Sequence, residues 1–155
     1  MKPITFSCAE TLSMSGDEIA EQILNLANWP DFKGFAVLPG IETAEFEVRT
    51  PEIIGSRIKV TNTDGSSHIE EIVEWQTNRR LKLHMQEFSP PLARLATGFL
   101  ETWDFERGNG GTNVVRSFEL HARSVLAWPL LWVISIFLKK AIARHLAQMR
   151  YGAPP

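Results

Sequence analysis

The chain has 155 residues, 44% of them hydrophobic and 22% charged, a composition typical of a single globular domain. Its formal net charge is −2, and no stripe of Lys and Arg is present, so the sequence predicts no nucleic-acid partner. Cys8 is the only cysteine, which excludes an intrachain disulfide. Five Trp and nine Phe against one Tyr supply much apolar ring surface for a core of this size.

The first predicted elements are a strand and two short helices. Residues 3–12 are rich in β-favouring types and end in a polar turn. Ser15 and Glu18 have the spacing of a capping box, which predicts a helix start. Residues 28–31, Asn-Trp-Pro-Asp, end this helix or begin a second one.

A strand pattern follows from Ile41 to His121. Apolar and polar residues alternate, and the turn signals Asp64-Gly65 and Asn109-Gly110 separate the runs. In the run after Gly65, alternation puts Ile69, Val73 and Trp75 on one face, with Glu71 between them. Prolines break the pattern near residue 90, and residues 92–97 suggest a short helical stretch. The segment therefore predicts a meander of antiparallel strands.

The period changes to that of a helix over residues 126–151. One face is traced at spacings of three and four by Leu131, Ser135, Leu138, Ile142, Leu146 and Met149. The apolar run 125–138 falls short of the about 20 residues that span a bilayer and contains a proline. We therefore expect a buried helix, one domain over residues 1–151 and a flexible tail over 152–155.

The order of elements, the Trp29-Pro30 pair, the strand that carries Trp103 and the turn Asn109-Gly110-Gly111-Thr112-Asn113-Val114 resemble the START-like, or Bet v 1-like, superfamily. This superfamily includes the polyketide cyclase/dehydrase and lipid-transport proteins (SRPBCC). The resemblance covers nearly the whole chain. It implies an α+β helix-grip fold, in which a curved antiparallel sheet of about seven strands wraps around a long C-terminal helix, with two short helices after the first strand. It also implies an apolar cavity beneath that helix, and a ligand of lipid, sterol, polyketide or quinone type.

Two charged residues fall on the inferred inner face of the sheet. Arg116 lies between Val114 and Phe118, and Glu101 lies between two aromatic residues of the adjoining strand. A buried charge needs a partner, so we expect Arg116 to contact Glu101 or Trp103. The pair has two interpretations: a structural closure of one end of the cavity, or a polar anchor for a ligand. The predicted ligand-binding residues are Phe32, Trp75, Leu83, Met85, Trp103, Arg116, Phe118, Leu131 and Leu138.

The four histidines are scattered, and none shares a metal-like spacing with a cysteine or carboxylate. No phosphate loop, nucleophile elbow or dinucleotide fingerprint is present in the sequence. We therefore expect neither a metal nor a cofactor. Because no apolar stretch of signal-peptide length lies at the N-terminus and a lone cysteine fits a reducing compartment, we expect a cytoplasmic protein.

Three functions remain open from the sequence. The first is a carrier or binding protein for an apolar small molecule. The second is a cyclase- or dehydratase-like enzyme that uses Glu101 or Arg116 for proton transfer or enolate stabilisation. The third is a docking module, because the helix over residues 128–138 is apolar on all sides. Its outward face would meet a second copy in a homodimer, or a membrane surface assisted by the basic residues that follow.

Overall fold

The computed structural model describes residues 1–150, so the last predicted helical residue and the predicted tail lie outside the described part. Eleven elements occur along these residues: β1 (Ile4–Leu12), α1 (Gly16–Leu24), a 3₁₀ helix (Leu26–Asp31), β2 (Ile41–Val48), β3 (Arg57–Asn62), β4 (Ser67–Gln76), β5 (Arg80–Gln86), a second 3₁₀ helix (Leu92–Arg94), β6 (Ala96–Gly108), β7 (Gly111–Ala122) and α2 (Trp128–Arg150).

The strands form one antiparallel sheet of seven in the order β1-β7-β6-β5-β4-β3-β2. Strands β2 to β7 follow one another as a meander, and only β1 lies out of sequence, at the far edge beside β7. The chain between β1 and β2 must therefore cross from one sheet edge to the other, and this crossing contains α1 and the first 3₁₀ helix. The predicted α+β helix-grip fold is confirmed.

The start of α1 is the predicted capping box. The Ser15 hydroxyl accepts a hydrogen bond from the Glu18 N–H at 3.2 Å and lies 3.2 Å from the Glu18 carboxylate. Asn25 ends α1 and also caps the 3₁₀ helix, because its side chain accepts from the Ala27 N–H at 3.3 Å. Such side-chain caps satisfy backbone donors that a helix start leaves unpaired. The two short helices are thus fixed by local chemistry that is visible in the sequence.

Helix α2 packs mainly on the edge strand β1 and on its neighbour β7. The predicted inner face is buried from Leu131 through Leu138 and Ile142 to Leu146. No helix within residues 1–150 is long and apolar enough to cross a membrane.

Strand β4 departs from the predicted alternation. A bulge lies between Ile72, which pairs with Leu83, and Glu74, which pairs with Lys82. The extra residue, Val73, is 37% exposed. Because one extra residue reverses the facing of everything beyond it, the predicted face of Ile69, Val73 and Trp75 is wrong.

The bulge also determines which glutamate of β4 faces the inside of the sheet. Glu70 is 4% exposed, whereas Glu71 accepts a hydrogen bond from Arg57 at 3.2 Å on the other side of the sheet. Beyond the bulge, Trp75 pairs with Leu81 and packs against the core cluster that contains it.

Candidate functional site

A cavity of about 860 Å³ lies between the inner face of the sheet, α2 and two loops, residues 28–41 and 88–95. Two core clusters contribute to its walls: Leu83 and Trp103 belong to one, and Phe99, Phe118 and Leu138 to the other. The inward-facing hydrophobic side chains of the sheet and of α2 therefore do not pack against one another everywhere. A space remains between the two clusters.

Seven of the predicted ligand-binding residues line this cavity: Phe32, Leu83, Met85, Trp103, Arg116, Phe118 and Leu138. Trp75 and Leu131 are not among the residues that line it. Trp75 lies beyond the β4 bulge, where it is partly buried and packs against the core cluster that contains Leu81. Leu131 is fully buried in the first turns of α2, in the cluster of Ile4, Phe118 and Leu120.

The predicted contact of Arg116 with Glu101 and Trp103 is present. Arg116 Nε donates to Glu101 Oε2, and the two side chains are 9% and 2% exposed. The guanidinium also lies over the Trp103 ring, 4.3 Å from its centroid. The register explains this arrangement, because Trp103 pairs directly with Arg116 across the β6–β7 hairpin and Glu101 pairs with Phe118.

A third polar side chain, His145 of α2, completes this group. Arg116 Nη1 lies 3.0 Å from His145 Nδ1, and a guanidinium can only donate. The imidazole therefore accepts at Nδ1 and carries its proton on Nε2. Burial, with a further contribution from the Arg116 charge, lowers the pKa of His145 to about 3. The ring is thus neutral at physiological pH.

Burial raises the pKa of Glu101, while the charge of Arg116 acts in the opposite direction and that of Glu70 adds to the increase. The indole N–H of Trp103 has the smallest effect and lowers the pKa of Glu101, although it makes no hydrogen bond with a described residue. Glu101 therefore sits in an ion pair whose burial cost is only partly offset by its cationic partner.

Glu70 and His68 form a second, partly buried pair at the cavity, with Glu70 Oε2 2.9 Å from His68 Nε2. Neither residue was predicted from the sequence, because the bulge shifts the phase of β4. His145 was not predicted either, although it follows Ile142 by three positions on the inner face of α2. Helical periodicity was the signal that could have found it.

The loop over residues 32–41, here called the cap loop, covers one end of the cavity. Phe35 and Leu38 exchange backbone hydrogen bonds of 3.0 and 2.9 Å, and Ile41 N–H donates to the Phe32 carbonyl. Gly34 has φ +74°, and a Cβ there would lie 2.2 Å from the Leu38 carbonyl oxygen. The loop is held against α2, because Lys140 Nζ lies 5.5 Å from the Phe35 ring centroid.

The side chains at the site do not form a metal centre. Within residues 1–150, no three His, Cys, Asp or Glu side chains come together in a way that could hold a metal ion. The ionisable side chains instead pair with one another: Glu101 with Arg116, Arg116 with His145, and Glu70 with His68. Chemically, the arrangement offers an apolar enclosure with hydrogen-bonding groups on one wall.

The fold is similar to that of several solved structures. Ara h 8.0201 is 16% identical, with a TM-score of 0.62 over 94% of this chain and 99% of that one. Major latex-like protein 151 from Panax ginseng is 14% identical, with a TM-score of 0.61 over 94% of this chain and 98% of that one. TTHA0849 from Thermus thermophilus is 13% identical, with a TM-score of 0.71 over 96% of this chain and 95% of that one.

At these identities the likenesses show the fold alone, and it is the helix-grip fold that the sequence resemblance implied. No protein-family model matches the chain, and no curated protein matches it in sequence.

Proposed function

We propose that this START-like domain binds an apolar small molecule in its cavity and acts as a carrier or binding protein for it. The observation that carries the proposal is the cavity of about 860 Å³ between the sheet and α2. Ligand sites in proteins measure roughly 300–1,000 Å³ and are lined mainly by apolar and aromatic side chains. A lipid, sterol, polyketide or quinone has a suitable apolar body.

The ionisable groups support binding more than catalysis. Proton transfer near neutral pH works best with a group whose pKa lies near that pH. With a pKa of about 3, His145 is a weak base, and Arg116 does not titrate in this range. Of the two residues that the cyclase- or dehydratase-like alternative invokes, Glu101 remains, and its Oε2 already accepts from Arg116.

The test uses the neutral apolar dye Nile red. The wild-type protein should bind it with increased fluorescence, and Leu138→Trp, which places a larger side chain in the cavity, should weaken binding at least about tenfold. Leu130→Trp is the matched control, because Leu130 lies on the same helix and is 53% exposed. Equal loss in both variants, or no binding by the wild type, would contradict the proposal. Native mass spectrometry of the protein from its own host would then identify the natural ligand.

An observation on α2 favours a second function. Four apolar side chains on its outer side are exposed: Leu130 by 53%, Trp132 by 48%, Val133 by 41% and Ile136 by 39%. Monomeric proteins seldom expose such a patch unless it has a use. The exposed basic residues Lys139, Lys140 and Arg144 follow it along the same helix.

We propose that this outer face of α2 docks onto an anionic membrane surface. Apolar side chains enter the interface between headgroups and acyl chains, and each nearby Lys or Arg adds about 1 kcal/mol of attraction to anionic lipids. A two-fold dimer, the alternative from the sequence, would bury the same apolar side chains but would make no use of the basic residues beside them. The same helix also lines the cavity through Ile134 and Phe137, so docking would bring the cavity close to the lipids.

Vesicle flotation tests the docking. The protein should float with phosphatidylcholine vesicles that contain phosphatidylserine, and the double variant Trp132→Gln/Ile136→Gln should lose this binding. Val73→Gln, an exposed apolar residue of the β4 bulge, is the control and should float like the wild type. A wild-type protein that does not float contradicts docking. Sedimentation would then show whether the same double variant breaks a dimer.

A further inference from the structure

Four ionisable side chains that line the cavity are here called the polar wall: Glu70, Glu101, Arg116 and His145. The four side chains come from β4, β6, β7 and α2. The sheet register brings the two glutamates near each other: Glu101 pairs with Leu83, Leu83 pairs with Ile72, and Glu70 stands two residues from Ile72. One region of the wall therefore collects ionisable side chains from four separate elements.

The hydrogen bonds within this wall leave some capacity unused. Arg116 donates through Nε to Glu101 and through Nη1 to His145, but its Nη2 donates to no residue in the range 1–150. His145 accepts at Nδ1, and its Nε2–H likewise has no acceptor within that range. Glu101 and Glu70 each use one carboxylate oxygen, toward Arg116 and His68. The wall thus retains both donors and acceptors.

The charges of the wall decide which head group fits. Glu70 and Glu101 are acidic, and Arg116 is the one permanent cation among the four, already shared with Glu101. At this wall a ligand carboxylate would meet two like charges and no unpaired cation, since the other cations that line the cavity, Lys33 and Arg144, are not part of the wall. A ligand ammonium would be attracted by the two carboxylates, so the charges of the wall do not select against it. A hydroxyl donates and accepts at once and carries no charge to desolvate.

We infer that the polar wall binds the hydroxyl group of an uncharged, otherwise apolar ligand and discriminates against the carboxylate of the same chain. The hydroxyl accepts from Arg116 Nη2 or His145 Nε2–H and donates to Glu101 or Glu70. This inference rests on the proposed function, since it names the chemical class of the ligand for the same cavity.

The test is a matched competition at about pH 7.5, where carboxylic acids are ionised. Decanol and decanoate share one alkyl chain and differ in the head group, and each is titrated against bound Nile red. Decanol should displace the dye at a concentration about tenfold lower than decanoate, as expected for like-charge contacts in a partly desolvated site.

Two variants test whether the polar wall causes the preference for decanol over decanoate. Glu70→Gln removes one negative charge with little change in shape, so the preference for decanol over decanoate should fall about tenfold. Glu74→Gln, on the same strand but paired with Arg80 at the surface, makes the same change in net charge and should leave the preference unaltered.

The outcomes separate the two claims. If the wild type binds Nile red and decanoate competes as well as decanol, the inference is overturned and the proposed function stands. If the wild type fails to bind Nile red, the proposed function falls and the inference falls with it. If Glu70→Gln and Glu74→Gln change the preference equally, the polar wall is not its cause and the inference is overturned.

Discussion

The buried pair of Arg116 and Glu101 shows how far reasoning from single residues reaches. Alternation placed both on the inner face, and the turn at Asn109-Gly110 fixed the register between their strands, so their contact followed from the sequence. The contact of Arg116 with His145 could not be predicted in this way, because it joins β7 to α2. No local sequence pattern determines how a helix packs on a sheet. Tertiary placement decides which polar groups share one wall.

Replacing Arg116 by Met should lower the free energy of unfolding by about 3–5 kcal/mol at neutral pH, since it leaves a buried carboxylate without its cation. Burial already raises the pKa of Glu101, and losing Arg116 removes the main opposing influence. A carboxyl whose pKa is raised by folding costs stability as pH rises above its unfolded value, about 4.3. Urea unfolding at about pH 5 and pH 7.5 should therefore show the smaller loss at the lower pH.

The double variant Arg116→Met/Glu101→Leu is the control for that measurement. It removes both charges together and should recover most of the lost stability, because apolar residues of similar volume often replace a buried ion pair at little cost. If Arg116→Met has the same free energy of unfolding as the wild type at neutral pH, Glu101 does not depend on Arg116 for its burial, and the prediction is wrong.

At the scale of elements, the sequence predicted well what local chemistry controls. The capping box at Ser15 and the turns at Asp64-Gly65 and Asn109-Gly110 mark element boundaries that the structure shows within one or two residues. Strand β4 was the exception, because its bulge carries no Gly or Pro signal and appears in the sequence only as an ordinary Ile72-Val73-Glu74. The bulge determines that Glu70, rather than Glu71, faces the cavity, and with it the acidic character of the polar wall.

At the scale of the whole molecule, periodicity cannot distinguish a filled core from a hollow one. Leu83, Trp103 and Leu138 occupy inward positions in either case, and only the curvature of the sheet and the tilt of α2 decide whether they touch. Such a space costs stability, because its walls lack the contacts that a packed interior provides. A ligand in the cavity restores those contacts, so binding and folding should be linked.

Thermal unfolding tests this linkage. Decanol at about 100 times its dissociation constant should stabilise the protein by about 2.7 kcal/mol, which for a chain of this length raises the melting temperature by about 5–10 °C. The expectation holds because the ligand binds the folded cavity and the unfolded chain offers no such enclosure. In Leu138→Trp the added indole occupies part of the space, so the same decanol concentration should raise the melting temperature much less. An equal rise in wild type and variant would mean that decanol acts outside the cavity.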